Sequence, residues 1–299
     1  DFLLAVGGGS VLDGTTFVAL AAKYEGEPAE LLAHGFAPPP VTEALPVGTV
    51  LTLPAAGSEM NSGAVISHGD GKFPVIHPLQ FPRFSILDPE LTMTLPPTQV
   101  ANGVVDAFVH VIEQYLTYPA EGRFQDRTAE GILQTLIEIG PKTLAEPKDF
   151  DARANLVWCA TMALNGLIGA GVPSDWTTHM IGHELTAKFG IDHGQTLAIV
   201  LPAVMKVRKE QKRAKLLQYA ERVWGLDAAP EEQRIDDAIA RTEAFFKELG
   251  IGTRLGDHGV SADDVDAIVA QLEGHGLTAL SERGDVTLEV SREILTRAL

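Results

Sequence analysis

Pro96 and Pro97 divide this 299-residue chain into two textures, and no single fold layer accommodates both. Before them, short runs rich in Val, Ile, Leu and Thr alternate with glycine and proline, the pattern of strands in an α/β layer. "FLLAV" (2–6), "GTVLTLP" (48–54), "GAVIS" (63–67) and "RFSILD" (83–88) are the expected strands. A helix is expected over 10–23, opening at Ser10. After the prolines, Thr98 is placed to cap a helix that runs to Pro119. The spacing then predicts helices near 124–145, 151–168, 174–189, 195–221, 231–249, 262–273 and 289–298. The expected architecture is an α/β Rossmann-like domain over 1–97 and an all-helical domain over 98–299. The first run, "FLLAV", ends in glycines and reads as a central strand, which needs a neighbour on each side. The α/β domain is therefore expected to be incomplete at its start, lacking its earlier strands.

Charge and cysteine usage narrow the function classes. The formal net charge is −17, so no basic stripe is available for nucleic acid or an anionic membrane surface. Cys159 is the single cysteine; no internal disulfide can form, and a cytoplasmic setting is expected. No apolar run approaches the ~20 residues of a membrane span.

Histidines concentrate in "HMIGHELTAKFGIDH" (179–193), with His179 and His183 four apart and so on one helical face. Gly190 is placed to end that helix, letting the chain fold back and aim His193 at the same face. Upstream, Asn102, Asp106, His110 and Glu113 form a narrow polar stripe on an otherwise apolar helix. A carboxylate facing inward needs a partner, and a divalent ion is one. Spacing alone serves equally well a local Asp106/His110 ion pair on a solvated face. His34, His68, His77, His258 and His275 read as loop or surface residues, and Cys159 as a small core residue.

"AVGGGSVLDG" places Gly7, Gly8 and Gly9 between a strand and a helix. Such a turn suits a phosphate at a helix N-terminus and equally suits plain steric tightness. "TLPAAGSEMNSG" (52–63) forms a second loop after a strand, where ligands of open α/β sheets bind. Residues 1–97 carry only Lys23, Lys72 and Arg83 as cations against ten carboxylates. An anionic cofactor here depends on backbone donors.

Together "GGGSVLD" (7–13), "TLPAAGSE" (52–59), "LDPELTMTLPP" (87–97), "GVVDAFVHVIEQY" (103–115) and "HMIGHELTAKFGIDHGQTLAIVLP" (179–202) resemble the iron-containing (group III) alcohol dehydrogenase family. The similarity is greatest to its NADPH-dependent butanol dehydrogenase and aldehyde reductase branch. The resemblance implies a divalent metal, Fe²⁺ or Zn²⁺, on Asp106, His110, His179 and His193, with His183 as a proton relay. It implies a nicotinamide cofactor, NADP(H) or NAD(H), near Gly8, Gly9, Ser10, Asp13, Thr52, Leu53, Ser58 and Lys72. It also implies small aldehydes or primary alcohols as substrates and a homodimer. Where the family often carries a lysine three residues after Asp13, this chain has Thr16. Two other readings stand beside this one: a glycerol-dehydrogenase-like enzyme, and a non-catalytic metal-binding fragment with an incomplete cofactor site.

Overall fold

The computed structural model describes residues 1–299. Strands β1 (Leu3–Gly7), β2 (Val47–Leu51) and β5 (Phe84–Ile86) form a parallel sheet in the order β1-β2-β5. In register, Val6 lies beside Val50, and Val50 beside Ile86. Among the strands of this chain β2 is flanked on both sides and β1 on one, and Leu4 and Val6 of β1 are exposed. Alternation turns Ala5 the other way, against Leu12 of helix α1 (Gly9–Ala21).

Three strands lie outside the expected set, and the first follows the third expected one. "GKFPVI" forms β4 (Gly71–Ile76), which pairs antiparallel with β3 (Gly63–His68) in a hairpin detached from the parallel sheet. Pro74 in its middle argued against a strand. Proline is tolerated because the hairpin has two strands, so each has an open edge.

From Pro97 onward the chain is helical: α2 (Pro97–Tyr115), α3 (Arg123–Ala145), α4 (Phe150–Leu164), α5 (Thr177–Phe189), α6 (His193–Val207), α7 (Arg213–Arg222), α8 (Glu231–Glu248), α9 (Val265–Gly274) and α10 (Leu288–Arg297). A two-residue ladder, β6 (Ala279–Leu280) with β7 (Val286–Thr287), interrupts the last part. No helix is long and apolar enough to cross a membrane. Thr98 does not cap α2; Pro97 occupies its first turn, where a missing N–H costs nothing. Nor does Ser10 cap α1, which starts one residue earlier after Gly8.

The single helix expected over 195–221 is two, separated by a turn at 208–212. Lys212 is buried there, donating to the Leu116 carbonyl (2.6 Å) and pairing with Asp175 (2.7 Å) and Glu282 (3.3 Å). A buried ammonium needs such partners, and reaching them outweighs continuing the helix.

Helix α2 is buried on every face from Val100 to Tyr115 and forms the axis of the largest core. A helix buried all round explains why its polar stripe is narrow: each polar residue there needs a specific partner. The loop after β2 rests directly on α2. A Cβ on Gly103 would lie 2.4 Å from the Pro54 carbonyl oxygen. Glu59 of that loop accepts a hydrogen bond from Thr161 of α4 at 2.5 Å. This close approach seats the α/β loops over the polar stripe.

Candidate active site

Where the loops meet the helices lies a cavity of about 660 Å³. Asp106, His110, His179, His183 and His193 all line it. Asp106 Oδ1 is the hub: His110 Nδ1 is 3.4 Å away, His179 Nε2 3.7 Å and His193 Nε2 3.8 Å. Ligand atoms about 2.0–2.2 Å from one ion in a tetrahedron would stand roughly 3.4 Å apart. Asp106 Oδ1, His110 Nδ1 and His179 Nε2 are buried with no hydrogen-bond partner. A buried polar atom without a partner is costly, and three converging ones fit a bound cation. Asp106, His110 and His179 meet within ion-binding distance of one another. His193, the first residue of α6, lies outside this trio and approaches it through Asp106.

The electrostatics sort these groups. Burial opposes ionisation of Asp106, yet His110, His179 and His193 hold its carboxyl below the usual range. Burial drives His110 down to about 4 and His193 down to about 3. Burial also works against charge on His179, but Glu113 and Asp106 overcome it and raise its pKa to about 9.

Glu113 belongs to the stripe seen in the sequence but was given no role. It accepts the ring N–H at His179 Nδ1 and the backbone N–H groups of Thr178 (2.5 Å) and His179 (3.1 Å). One carboxylate therefore caps the first turn of α5, orients the imidazole and leaves Nε2 facing Asp106. Asn102, also of the stripe, donates to Asp192 (3.0 Å), the residue before His193. Trp176 was missed altogether, since nothing local signals it. It sits at φ 66° before α5, with its ring edge-on to His179 at 5.4 Å and His110 at 6.3 Å.

His183 faces the cavity one turn beyond His179, its ring centroid 4.9 Å from that of His193. Burial, reinforced by His193 and Lys72, holds it well below an ordinary histidine, so it is neutral near pH 7. A neutral imidazole passes protons by taking one at one nitrogen as it gives one from the other.

The same cavity is also lined by Gly8, Gly9, Ser10, Asp13, Leu53, Ser58 and Lys72. The amides of Gly9 and Ser10, in the first turn of α1, have no acceptor within the helix. A Cβ on Gly8 would come within 2.9 Å of the Leu53 Cβ, so the turn is tight and its backbone is bare. Thr52 stands apart: it does not line the cavity, and its amide donates to the Gly7 carbonyl (2.9 Å). Burial pushes the Asp13 carboxyl up to about 6 although the Val65 amide donates to it (2.9 Å). Burial also lowers Lys72, which reaches the cavity from β4. The bare glycine turn and the Asp106, His110 and His179 cluster thus border one cavity.

Two of the histidines expected in loops or on the surface lie in loops but have defined partners. His77 is buried and accepts from the Leu79 amide (3.1 Å). His275 pairs with buried Glu184.

Residues 100–278 match the family described as Fe-containing alcohol dehydrogenase, C-terminal, and residues 1–89 match iron-containing alcohol dehydrogenase. The chain is 57% identical over 301 residues to the NADPH-dependent aldehyde reductase YqhD of Escherichia coli (strain K12), covering 99% of this chain and 77% of that protein. It is 39% identical to the probable NADH-dependent butanol dehydrogenase 1 of Bacillus subtilis (strain 168), covering 92% and 72%. The crystal structure of E. coli K-12 YqhD superposes with a TM-score of 0.97 at 56% identity, over 100% of this chain and 77% of that one. NADH-dependent butanol dehydrogenase A from Thermotoga maritima superposes at 0.92 with 34% identity, over 99% and 75%.

Proposed function

The chain belongs to the iron-containing alcohol dehydrogenase family, and from that premise we propose a metal-dependent reductase of small aldehydes that uses NADP(H). The observation that carries this is that His110, His179 and His193 converge on Asp106 in the same cavity that the bare Gly8–Ser10 turn lines. Residues 1–97 serve as the dinucleotide-binding domain and 98–299 as the metal-binding domain. NADP(H) is preferred over NAD(H) because the relative at 57% identity is named for NADPH, whereas the one at 39% is named for NADH.

Asp106, His110, His179 and His193 hold a divalent ion, Fe²⁺ or Zn²⁺, since one carboxylate and three imidazoles suit both. When bound, the ion supplies Lewis acidity to a carbonyl oxygen and the nicotinamide supplies a hydride. The protein does the rest. Glu113 keeps His179 Nε2 unprotonated toward the ion by holding its proton on Nδ1. The Gly9 and Ser10 amides would receive the pyrophosphate, and Leu53 and Ser58 line the same cavity. Lys72, poorly solvated, lies within the field of Asp13 and Asp106 and offers an ammonium to the ribose side. His183 gives a proton from its ring to the carbonyl-derived oxygen, which thereby becomes the product hydroxyl, while its other nitrogen takes one from water. Trp176 and Met180 line the cavity beside these histidines.

The homodimer and the cytoplasmic setting remain part of the proposal; sedimentation velocity tests the first. The enzymatic reading is tested by metal content and NADPH oxidation with butanal on the same sample, for this chain and for His193→Ala. Metal and turnover, both lost in the variant, are expected. Unchanged metal content and unchanged reduction in His193→Ala would overturn it.

A further inference from the structure

Glu184 follows His183 on α5 but points away from the cavity and is only 2% exposed. A carboxylate so buried needs a partner, and its partner is His275, at the end of α9. His275 Nδ1 lies 2.9 and 3.0 Å from the two Glu184 oxygens. The other side of the same imidazole rests on the β3–β4 hairpin. Its ring meets Phe73 edge-on at 6.0 Å, and a Cβ on Gly71 would be 3.3 Å from its Cε1. Its Nε2 is 3.7 Å from Asp70 at the hairpin tip, and Gln271 of α9 donates to the Asp70 carbonyl at 3.4 Å. Gly71 and Phe73 flank Lys72, and alternation along β4 turns Lys72, Pro74 and Ile76 to the opposite face. That face lines the cavity.

We propose that His275 is a positioning residue: gripped by Glu184, it backs the β3–β4 hairpin at Gly71 and Phe73 and so sets how far Lys72 enters the cavity. The physical reason is rigidity. A two-stranded hairpin outside the main sheet is marginal alone and takes its position from what it packs against. One face of this hairpin borders an open cavity, so its placement depends on the other, where Phe73 meets His275 and also packs with Leu20, Leu31, Leu32 and Val75. Glu184 shares α5 with His179 and His183, so the grip references Lys72 to the same helix that carries the cation end of the site. The link to cofactor binding rests on the function proposed above; the placement of the hairpin does not.

The test compares His275→Leu, His275→Asn and the double variant Glu184→Leu/His275→Leu in the metal-loaded protein. Asparagine keeps a donor where Nδ1 was; the double variant leaves no buried carboxylate unpaired and carries the test if His275→Leu does not fold. The first readout is amide hydrogen exchange over residues 63–76 without cofactor. Exchange about tenfold faster in the leucine variants, with most protection restored by asparagine, is expected. The second is NADPH affinity by fluorescence titration, expected to weaken on the order of fivefold with metal content unchanged. Wild-type exchange over 63–76 in the folded double variant would overturn the proposal. If the native chain binds no NADPH, the function proposed above fails, while the exchange data still decide the latch. Faster exchange with unchanged affinity would overturn the part concerning Lys72.

Discussion

Replacing Glu113 by Gln probes the support of the cation site without touching an ion-binding atom. Glu113 accepts three N–H groups with two oxygens, and its Oε2 serves both the backbone and Nδ1 of His179. Glutamine keeps one acceptor, which the two His179 donors claim, so its NH₂ faces the Thr178 amide, donor to donor. A buried donor left unsatisfied costs about 1–3 kcal/mol. Loss of negative charge at the first turn of α5 adds about 0.3–1 kcal/mol. The variant is therefore expected to unfold about 1–4 kcal/mol more easily, within reach of urea titration. Metal affinity is expected to fall ~10–100-fold, the usual cost of losing a carboxylate behind a histidine ligand. A second signature is specific to the mechanism. Without metal, Glu113 and Asp106 hold His179 at about 9, so it is protonated at neutral pH and binding expels about one proton. Calorimetry in two buffers of different ionisation enthalpy counts that proton. In the glutamine variant the main counter-charge is gone, the proton count falls, and affinity depends less on pH between 7 and 9. Metal affinity within about twofold of the native chain, together with an unchanged proton count, would refute the reasoning.

Gly194→Ala should displace the start of α6, because a Cβ there would lie 2.5 Å from the Asn102 carbonyl oxygen and 2.8 Å from its Cα. Overpacking of about 1–3 kcal/mol and loss of metal are expected; an unaltered melting temperature and metal content would contradict this. Gly8→Ala should weaken NADPH binding without changing metal content, since its Cβ would press on Leu53; titration decides, and equal affinity would count against the glycine turn as the phosphate site. The metal-free chain should be most stable near pH ~6.5. His110 (about 4), His193 (about 3) and His183 are depressed by burial, so unfolding takes up protons below that pH and stability falls with acid. His179 is raised, so its contribution is fully present below the unfolded value and lost as pH climbs through about 9. Urea midpoints at pH 5, 6.5 and 9 check both limbs, and a monotonic series would exclude the assignment.

Much of the site was legible because its parts are local. Asp106 and His110 are one helical turn apart, as are His179 and His183, and both pairs do share a helix face. Gly190 ends α5 in the left-handed conformation, at φ 69°, and His193 opens the next helix as the spacing implied. The change of texture at Pro97 coincides with the start of α2. These features depend on i, i+4 periodicity and cap chemistry, which the chain carries residue by residue.

What the chain does not carry is which faces meet. Glu113 serves His179 across 66 positions, and Asn102 serves Asp192 across 90. Neither pairing has a period to reveal it; α2 must first be buried against α5 and α6. His275 read as an ordinary loop or surface residue because its partner Glu184 lies 91 positions away. The long helix expected over 195–221 breaks because buried carboxylates wait for Lys212, and propensity cannot register them. Residue type and spacing thus determined the kind of site, a carboxylate with imidazoles beside a glycine turn. Packing alone decided its geometry, because burial makes each of those polar groups depend on a partner from a distant part of the chain.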